Sequence, residues 1–598
     1  MAEPDKSNKA DAAEAEASEE QPIKKIIPKI TLKPKPLPVK RDEIILAEYQ
    51  KIHVSYLSNI LDRYPLAMDF SMLGSGKTYT SSFIGLNHPL NFRHIIVICP
   101  LSLKPKWNYM AEKYKLPIHT IETYNAMRAV KCHQPKHGLL QRLDYKQTIT
   151  KKDNTTGTIE KVEFKSTETM DAIVKEGTLL IIDEFQHIKN LSAQYHACQA
   201  LIETIVGSFI YGSNKYPINR SRVLLMSGSP IDKEEQITHL YRLIGIMKEA
   251  KLSQINPWTG ENTWTGFLDV INTYKYICSP RPGKMATDRE LYEMLSTYDI
   301  YIPAINHGSA GEFKKVCYAG FQFLLKPVIS SSMKLFETQC SINKFNAFYD
   351  IHSEDDRELL SESIKKLRTA LSFESENNTI TFGHNGSATL SAVSASLLSV
   401  ETAKIGTMLR IAQEKLQDPR LKMIICVNYT ATIDDLVEGL KEYNPLVLQG
   451  KTKEGDRGTI ISEFAEDNGN RRLLLANLKV CSSGIDLDDK VGGRPRFCLV
   501  SPNYSSIDLY QLSHRFLRMD TKSSATVHMM YAKTACELAI LNALAKKSAV
   551  MKQTTNVQVE SGVVFPCDYD SFIEESDLPV CPEVQKYING EEDEYDLD

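Results

Sequence analysis

Ser71-Met72-Leu73-Gly74-Ser75-Gly76-Lys77-Thr78 decides how this chain folds. A glycine-rich turn can close its backbone N–H groups around phosphate oxygens. The lysine then reaches the β/γ-phosphates, and the threonine offers a hard hydroxyl ligand for Mg²⁺. The flanks suit that use. Residues 65–70 are short and mostly apolar, which predicts a buried parallel strand. Residues 77–86 read as a helix start, so a bound phosphate faces a helix N-terminus. Ser71 stands where such loops usually carry their first glycine, and a small residue fits there.

Downstream, the apolar run Leu179-Leu180-Ile181-Ile182 ends in Asp183-Glu184-Phe185-Gln186. An acidic pair beyond a buried strand can hold a metal ion and a water for phosphoryl transfer. Between the two segments lies a second buried strand, Ile95-Ile96-Val97-Ile98-Cys99-Pro100. It runs into Leu101-Ser102-Leu103-Lys104-Pro105-Lys106-Trp107, and Thr123-Tyr124-Asn125 follows. After the acidic pair come His187-Ile188-Lys189-Asn190 and Val223-Leu224-Leu225-Met226-Ser227-Gly228-Ser229-Pro230. The C-terminal half repeats the style. Apolar strands at 423–427, 446–448, 473–476 and 497–500 alternate with helical spacing, as at 434–443. Ser482-Ser483-Gly484-Ile485-Asp486-Leu487 and Gln511-Leu512-Ser513-His514-Arg515-Phe516-Leu517-Arg518 lie among them. Short apolar strands alternating with amphipathic helices predict an α/β chain with parallel sheets in both halves.

In this order the segments resemble the motif series of superfamily-two helicase-type ATPases, most closely the Swi/Snf class of double-stranded-DNA translocases. The likeness runs over roughly residues 46–530. The resemblance implies two RecA-like lobes and a bound ATP with Mg²⁺. It places Gln50, Gly74, Ser75, Gly76, Lys77, Thr78, Gly484, Asp486 and Gln511 around the nucleotide, with Gln50 reading adenine. It makes Lys77, Asp183, Glu184, Gln186, Arg515 and Arg518 the catalytic set, with Thr78 and Asp183 on the metal. Arginines from a facing surface stabilise charge on the γ-phosphate, so the lobes must close. The resemblance also sets Pro100, Lys104, Thr123, Tyr124 and Lys189 against nucleic acid, and Lys106 and Arg457 near its phosphates. Phe185-Gln186 and His514 depart from the commoner residues at their positions without removing a catalytic group.

Composition is compatible with this picture. Net charge is −4, so any case for nucleic acid is local and rests on the motifs. The 12 cysteines form no Cys-x-x-Cys pair, which points away from a zinc site or a disulfide framework and towards a reducing compartment. No membrane span and no secretory signal is read, so the expected setting is nucleus or cytoplasm. Compact members of the class also occur in large DNA viruses, which adds a viral factory or virion. Residues 1–40, rich in Ala, Glu, Lys and Pro, are expected to be a disordered arm. Lobe one is expected over 41–250, with a β-hairpin insertion near 131–170 around Asp153-Asn154-Thr155-Thr156-Gly157. Residues 251–400 are read as a helical insertion and linker, 401–550 as lobe two, and 551–598 as a segment ending in an acidic tail.

Three functions stay open at this level. An ATP-driven translocase on duplex DNA leads, because the long connection from Pro230 to Met423 and the Ile-Lys-Asn extension suit the Swi/Snf class. A strand-separating DNA or RNA helicase is the second. An ATP-gated structural subunit of a transcription or virion complex is the third, and transcription machinery is the partner that reading implies.

Overall fold

The computed structural model describes residues 42–131, 133–150, 156–247, 265–298, 310–333, 338–351, 353–374, 379–382, 386–466, 471–482, 484–532, 535–555 and 572–574. The expected N-terminal arm and acidic tail lie outside them, as does the tip of the expected hairpin. Eight strands belong to the first half: β1 (Leu66–Asp69), β2 (His94–Cys99), β3 (Ile118–Thr123), β4 (Leu140–Thr150), β5 (Thr156–Ser166), β6 (Thr178–Asp183), β7 (Arg222–Met226) and β8 (Ser330–Ser331). Six of them form one sheet in the order β3-β2-β6-β7-β1-β8, with every neighbouring pair parallel.

The residues explain why this sheet is parallel and central. Leu66, Met68, Ile96, Ile98, Leu180, Ile182, Val223 and Leu225 enter one apolar core. Ala67, Ile95, Val97, Leu179, Ile181 and Leu224 enter a second core on the opposite face. Both faces must be covered for an all-parallel sheet, and strands with consecutive apolar residues supply that. Truncating such a residue, for instance Ile181→Ala, costs about 2–5 kcal/mol. β4 and β5 pair antiparallel from Leu140↔Ser166 onward, apart from the main sheet. Leu140 and Phe164 sink into the first core and root this hairpin.

The second half carries β9 (Ile342–Tyr349), β10 (Leu371–Glu374), β11 (Thr379–Phe382), β12 (Lys422–Val427), β13 (Leu446–Leu448), β14 (Leu473–Asn477), β15 (Arg496–Val500), β16 (Ala525–Ala532) and β17 (Phe572–Glu574). Seven of these form a parallel sheet in the order β13-β14-β12-β15-β16-β9-β17. The chain is therefore α/β with two RecA-like parallel-sheet lobes.

The lobe boundary falls elsewhere than the sequence suggested. Within 251–400, read as insertion, β8 completes the first sheet and β9 is an inner strand of the second. β9 hides from a hydropathy reading because Lys344 and Asn346 occupy buried positions on it. The helix Ala535–Thr555 follows the last long strand and reaches back to lobe one. There the Tyr318 hydroxyl donates to Gln553 Oε1 at 2.8 Å, and Lys326 Nζ donates to the Gln553 carbonyl at 3.1 Å. Among the described residues no helix is long and apolar enough to cross a membrane.

Candidate nucleotide site and interlobe cleft

In a parallel sheet, loops at the carboxyl ends of the strands line the ligand crevice. β1 delivers residues 70–76 to that edge, and helix α2 follows; we label α1 (Glu48–Arg63), α2 (Lys77–Asn87) and α3 (Lys104–Tyr114). Gly74 and Gly76 adopt φ of 82° and 89°, the left-handed region that glycine tolerates. The Ser75 hydroxyl donates to the Met72 carbonyl at 2.6 Å. Lys77 Nζ donates to the carbonyls of Ser71 at 2.8 Å and Met72 at 3.2 Å.

Gln50 lies against the same loop. Its Nε2 donates to the Ser75 carbonyl at 3.0 Å, and its Oε1 accepts from the Ala47 amide at 3.0 Å. A Cβ on Gly76 would stand 2.2 Å from Gln50 Nε2 and would displace that amide, and the φ of 89° is itself strained for any residue but glycine. Gln50 thus joins the α1 N-terminus, through its amide oxygen, to the loop, through its amide nitrogen.

β6 brings the acidic pair to the same edge. Asp183 is buried and accepts from the Trp107 indole N–H at 2.9 Å. Burial, with Glu184 beside it, pushes its carboxyl up to about 6. Glu184 takes a left-handed backbone, φ 57°, and its Oε2 accepts from Gln186 Nε2 at 2.8 Å. Gln186 Oε1 accepts from Ser227 Oγ at 2.7 Å, which ties the acidic segment to the end of β7.

Lobe two closes the other side. Gln511 Nε2 donates across the cleft to Glu184 Oε2 at 3.3 Å. Arg515 Nε donates to the Ser482 carbonyl at 3.0 Å, and its Nη2 donates to the same oxygen. Burial and the neighbouring Arg518 lower the Arg515 pKa to about 10, so it stays charged at neutral pH. Arg518 Nη2 and Nε donate to Asp486 Oδ1 at 2.6 and 2.9 Å. A Cβ on Gly74 would lie 3.1 Å from Arg518 Nη1, so this guanidinium sits against the phosphate loop. Gly484 meets lobe one too, where a Cβ would stand 2.7 Å from Ser102 Oγ.

These residues suit ATP and Mg²⁺. The glycine-only turns leave backbone N–H groups to face phosphate at the α2 N-terminus. Thr78 and Asp183 are hard oxygen donors, which is what Mg²⁺ prefers.

The expected nucleic-acid residues divide. Pro100 and Lys104 are half-buried past β2, with Lys104 Nζ 4.0 Å from Glu122. The Thr123 hydroxyl accepts from the Ala126 amide at 3.2 Å and so caps a short helix. Tyr124 is buried, and its hydroxyl donates to the Asp183 carbonyl at 2.7 Å. That makes it a support beneath the acidic pair. Lys189 Nζ is held by Asp232 Oδ1 at 2.6 Å, while Asp232 Oδ2 accepts from Ser506 Oγ of lobe two at 3.4 Å. Its charge is thus engaged inside the protein. Arg457 donates to the carbonyls of Thr452 and Gly450. Lys106 has an exposed side chain, and its pKa is lowered by desolvation, against which the carboxylates of Asp486 and then Asp183 act.

The family model described as the helicase conserved C-terminal domain matches residues 403–519, which include Gly484, Asp486, Gln511, Arg515 and Arg518. A protein of Acanthamoeba polyphaga mimivirus, named as an ATP-dependent RNA helicase, is 22% identical over 84% of this chain and 82% of its own length. Residues 403–519 thus carry a helicase C-terminal domain, and the chain is similar to superfamily-two helicase-type ATPases. Among solved structures it is similar to the Sulfolobus solfataricus SWI2/SNF2 ATPase core in complex with dsDNA, at 14% identity over 86% of this chain and 95% of that one, TM-score 0.26. It is also similar to the C-terminal part of the Fun30 ATPase domain, at 12% identity over 34% of this chain and 89% of that one, TM-score 0.27.

Two features of the site are not evident from local sequence patterns. Trp107 lies in the segment that follows β2 and is the buried donor to Asp183; a buried indole N–H needs a partner, and that is the signal the sequence offers. Ser227 ends β7 and fixes Gln186, a link that no local pattern reveals.

Proposed function

We propose that this ATPase is a motor that translocates on duplex DNA, with hydrolysis driven by closure of lobe two on lobe one. The bond from Gln511 to Glu184 carries the reading, since it joins the candidate base to the opposite lobe. Lys77 exchanges the Ser71 and Met72 carbonyls for the β/γ-phosphates. Glu184 orients the attacking water and takes its proton. Arg515 and Arg518 stabilise charge that develops on the γ-phosphoryl oxygens, and Arg518 leaves Asp486 to do so. Thr78 and Asp183 would hold Mg²⁺, which neutralises phosphate charge when bound.

The preference for a duplex is supported by the length of chain between Pro230 and Met423, which resembles the helical protrusions of the Swi/Snf class. The described helices Thr265–Cys278, Asp288–Ser296 and Ala310–Gly320 fall in that stretch. Strand separation on RNA is the second reading, favoured by the name of the mimivirus relative. Turnover at matched salt, with duplex DNA or single-stranded RNA present, tests the proposal. Greater stimulation by the duplex, falling steeply as salt rises, is expected. Triplex displacement without duplex unwinding then marks translocation. Stronger stimulation by single-stranded RNA gives the case to the second reading.

A further inference from the structure

Beneath the phosphate loop lies a buried polar cluster that the mechanism above does not use. His53 projects from α1 and is buried, as are Asp69 and Ser71. Its Nε2 lies 3.1 Å from Asp69 Oδ1 and 3.2 Å from Ser71 Oγ. Its Nδ1 lies 3.0 Å from Ser331 Oγ. Ser71 Oγ in turn accepts from the Met333 amide at 2.8 Å, and the Phe70 amide donates to the Ser331 carbonyl at 2.9 Å.

The partners are telling because of where they sit in the chain. Ser331 ends β8, the last strand of lobe one, and Ile342 begins β9 in lobe two. Met333 therefore stands at the covalent crossing between lobes. Ser71 opens the phosphate loop at the position where such loops usually carry glycine, and glycine has no hydroxyl to offer the Met333 amide. The carbonyl of the same Ser71 holds Lys77 Nζ.

We propose that Ser71 and His53 are positioning residues that fasten the interlobe crossing to the phosphate loop. The inference rests on nucleotide binding at Lys77. When the lysine turns from the Ser71 carbonyl to a triphosphate, the Ser71 peptide loses a partner and resettles. Its hydroxyl and the His53 ring pass that shift to Met333 and Ser331. Nucleotide occupancy thereby reaches lobe two through the backbone as well as through the arginines.

The test uses the full chain with fluorophores at the exposed positions Tyr56 and Glu438, one in each lobe. ATP binding is measured with a fluorescent analogue, lobe movement by energy transfer, and coupling as the ratio of duplex-stimulated to basal turnover. Ser331→Ala should keep ATP affinity and basal turnover while the coupling ratio falls about fivefold, the worth of one buried hydrogen bond. Ser71→Ala should lower the ratio further, because it breaks the contacts to His53 and Met333 together. Ser331→Thr, which keeps the hydroxyl, should restore coupling. Unaltered energy transfer and coupling in both alanine variants overturn the inference. So does a loss of coupling in Ser331→Thr equal to that in Ser331→Ala, since the hydroxyl would then not be what coupling needs. Absence of ATP binding in the wild-type chain overturns the nucleotide-site reading instead.

Discussion

Glu184 and Trp107 show what single side chains contribute. Glu184 is held from two directions, by Gln186 of its own lobe and Gln511 of the other. Glu184→Gln keeps the shape and removes the proton acceptor. ATP binding should survive, and turnover should fall by a factor of about 10²–10⁴, the range for loss of a general base. Wild-type turnover in that variant would remove Glu184 from the mechanism. Trp107 acts through Asp183, whose carboxyl lies near 6 even with the indole bond lowering it. Trp107→Phe keeps the ring and loses the donor, so the Asp183 pKa should rise further. The ionised form is then lost at a higher pH as pH falls. The acid limb of the turnover–pH profile should therefore move upward, and an unmoved limb would refute the link. The phosphate loop and the acidic pair were legible because each is a local pattern beside an apolar strand. Trp107 and Ser71 were not, since their partners lie 76 and 262 residues away in sequence.

At the level of elements, hydropathy found the strands that carry an unbroken run of four or more apolar residues, β2, β6, β12 and β15 among them. β9 escaped because its sequence alternates Ile342, Lys344, Asn346 and Phe348 on one buried face. Lys344 Nζ has no hydrogen-bond partner among the described residues, and burial pushes its pKa down to about 7 from 10.5. The unfolded chain thus binds a proton between about pH 7 and 10.5 that the folded chain refuses. Stability from this group rises with pH across that window and is lost as pH falls through it. Lys344→Met should raise the unfolding midpoint at pH 7, by a free energy on the order of a few kcal/mol, and the gain should shrink towards pH 10. A gain that is equal at both pH values would show that packing, and not charge, is responsible. The short helix Ser506–Ser513 and the turn His514–Phe516 after it were legible only through the family spacing of Gln511, Arg515 and Arg518. Arg518→Ala should leave ATP affinity within about tenfold and cut turnover by about 10³ or more, as an arginine that acts in the transition state requires. Equal losses in affinity and turnover would make it a ground-state contact.

The whole molecule works only if its lobes meet, and one glycine tests that directly. Gly484 has φ 71° and faces α3's approach, where a Cβ would stand 2.7 Å from Ser102 Oγ and 3.0 Å from Leu103 Cδ2. Gly484→Ala therefore carries two penalties, a backbone cost of about 1–2 kcal/mol and a collision across the cleft. The two can be separated. Gly493 lies in the same lobe with φ 75° and nothing within 4 Å of its Cβ position, so Gly493→Ala carries the backbone cost alone. Both variants should lower the unfolding midpoint by similar amounts. Only Gly484→Ala should hold the lobes apart, withdraw Gln511 from Glu184 and Arg518 from the phosphate loop, and reduce stimulated turnover by about tenfold or more. ATP affinity should change little, because Lys77 and the loop belong to lobe one. If the two variants hydrolyse ATP alike, the contact of Gly484 with Ser102 is incidental and closure does not set the rate. If Gly484→Ala alone fails, the cleft between the sheets is where binding becomes hydrolysis.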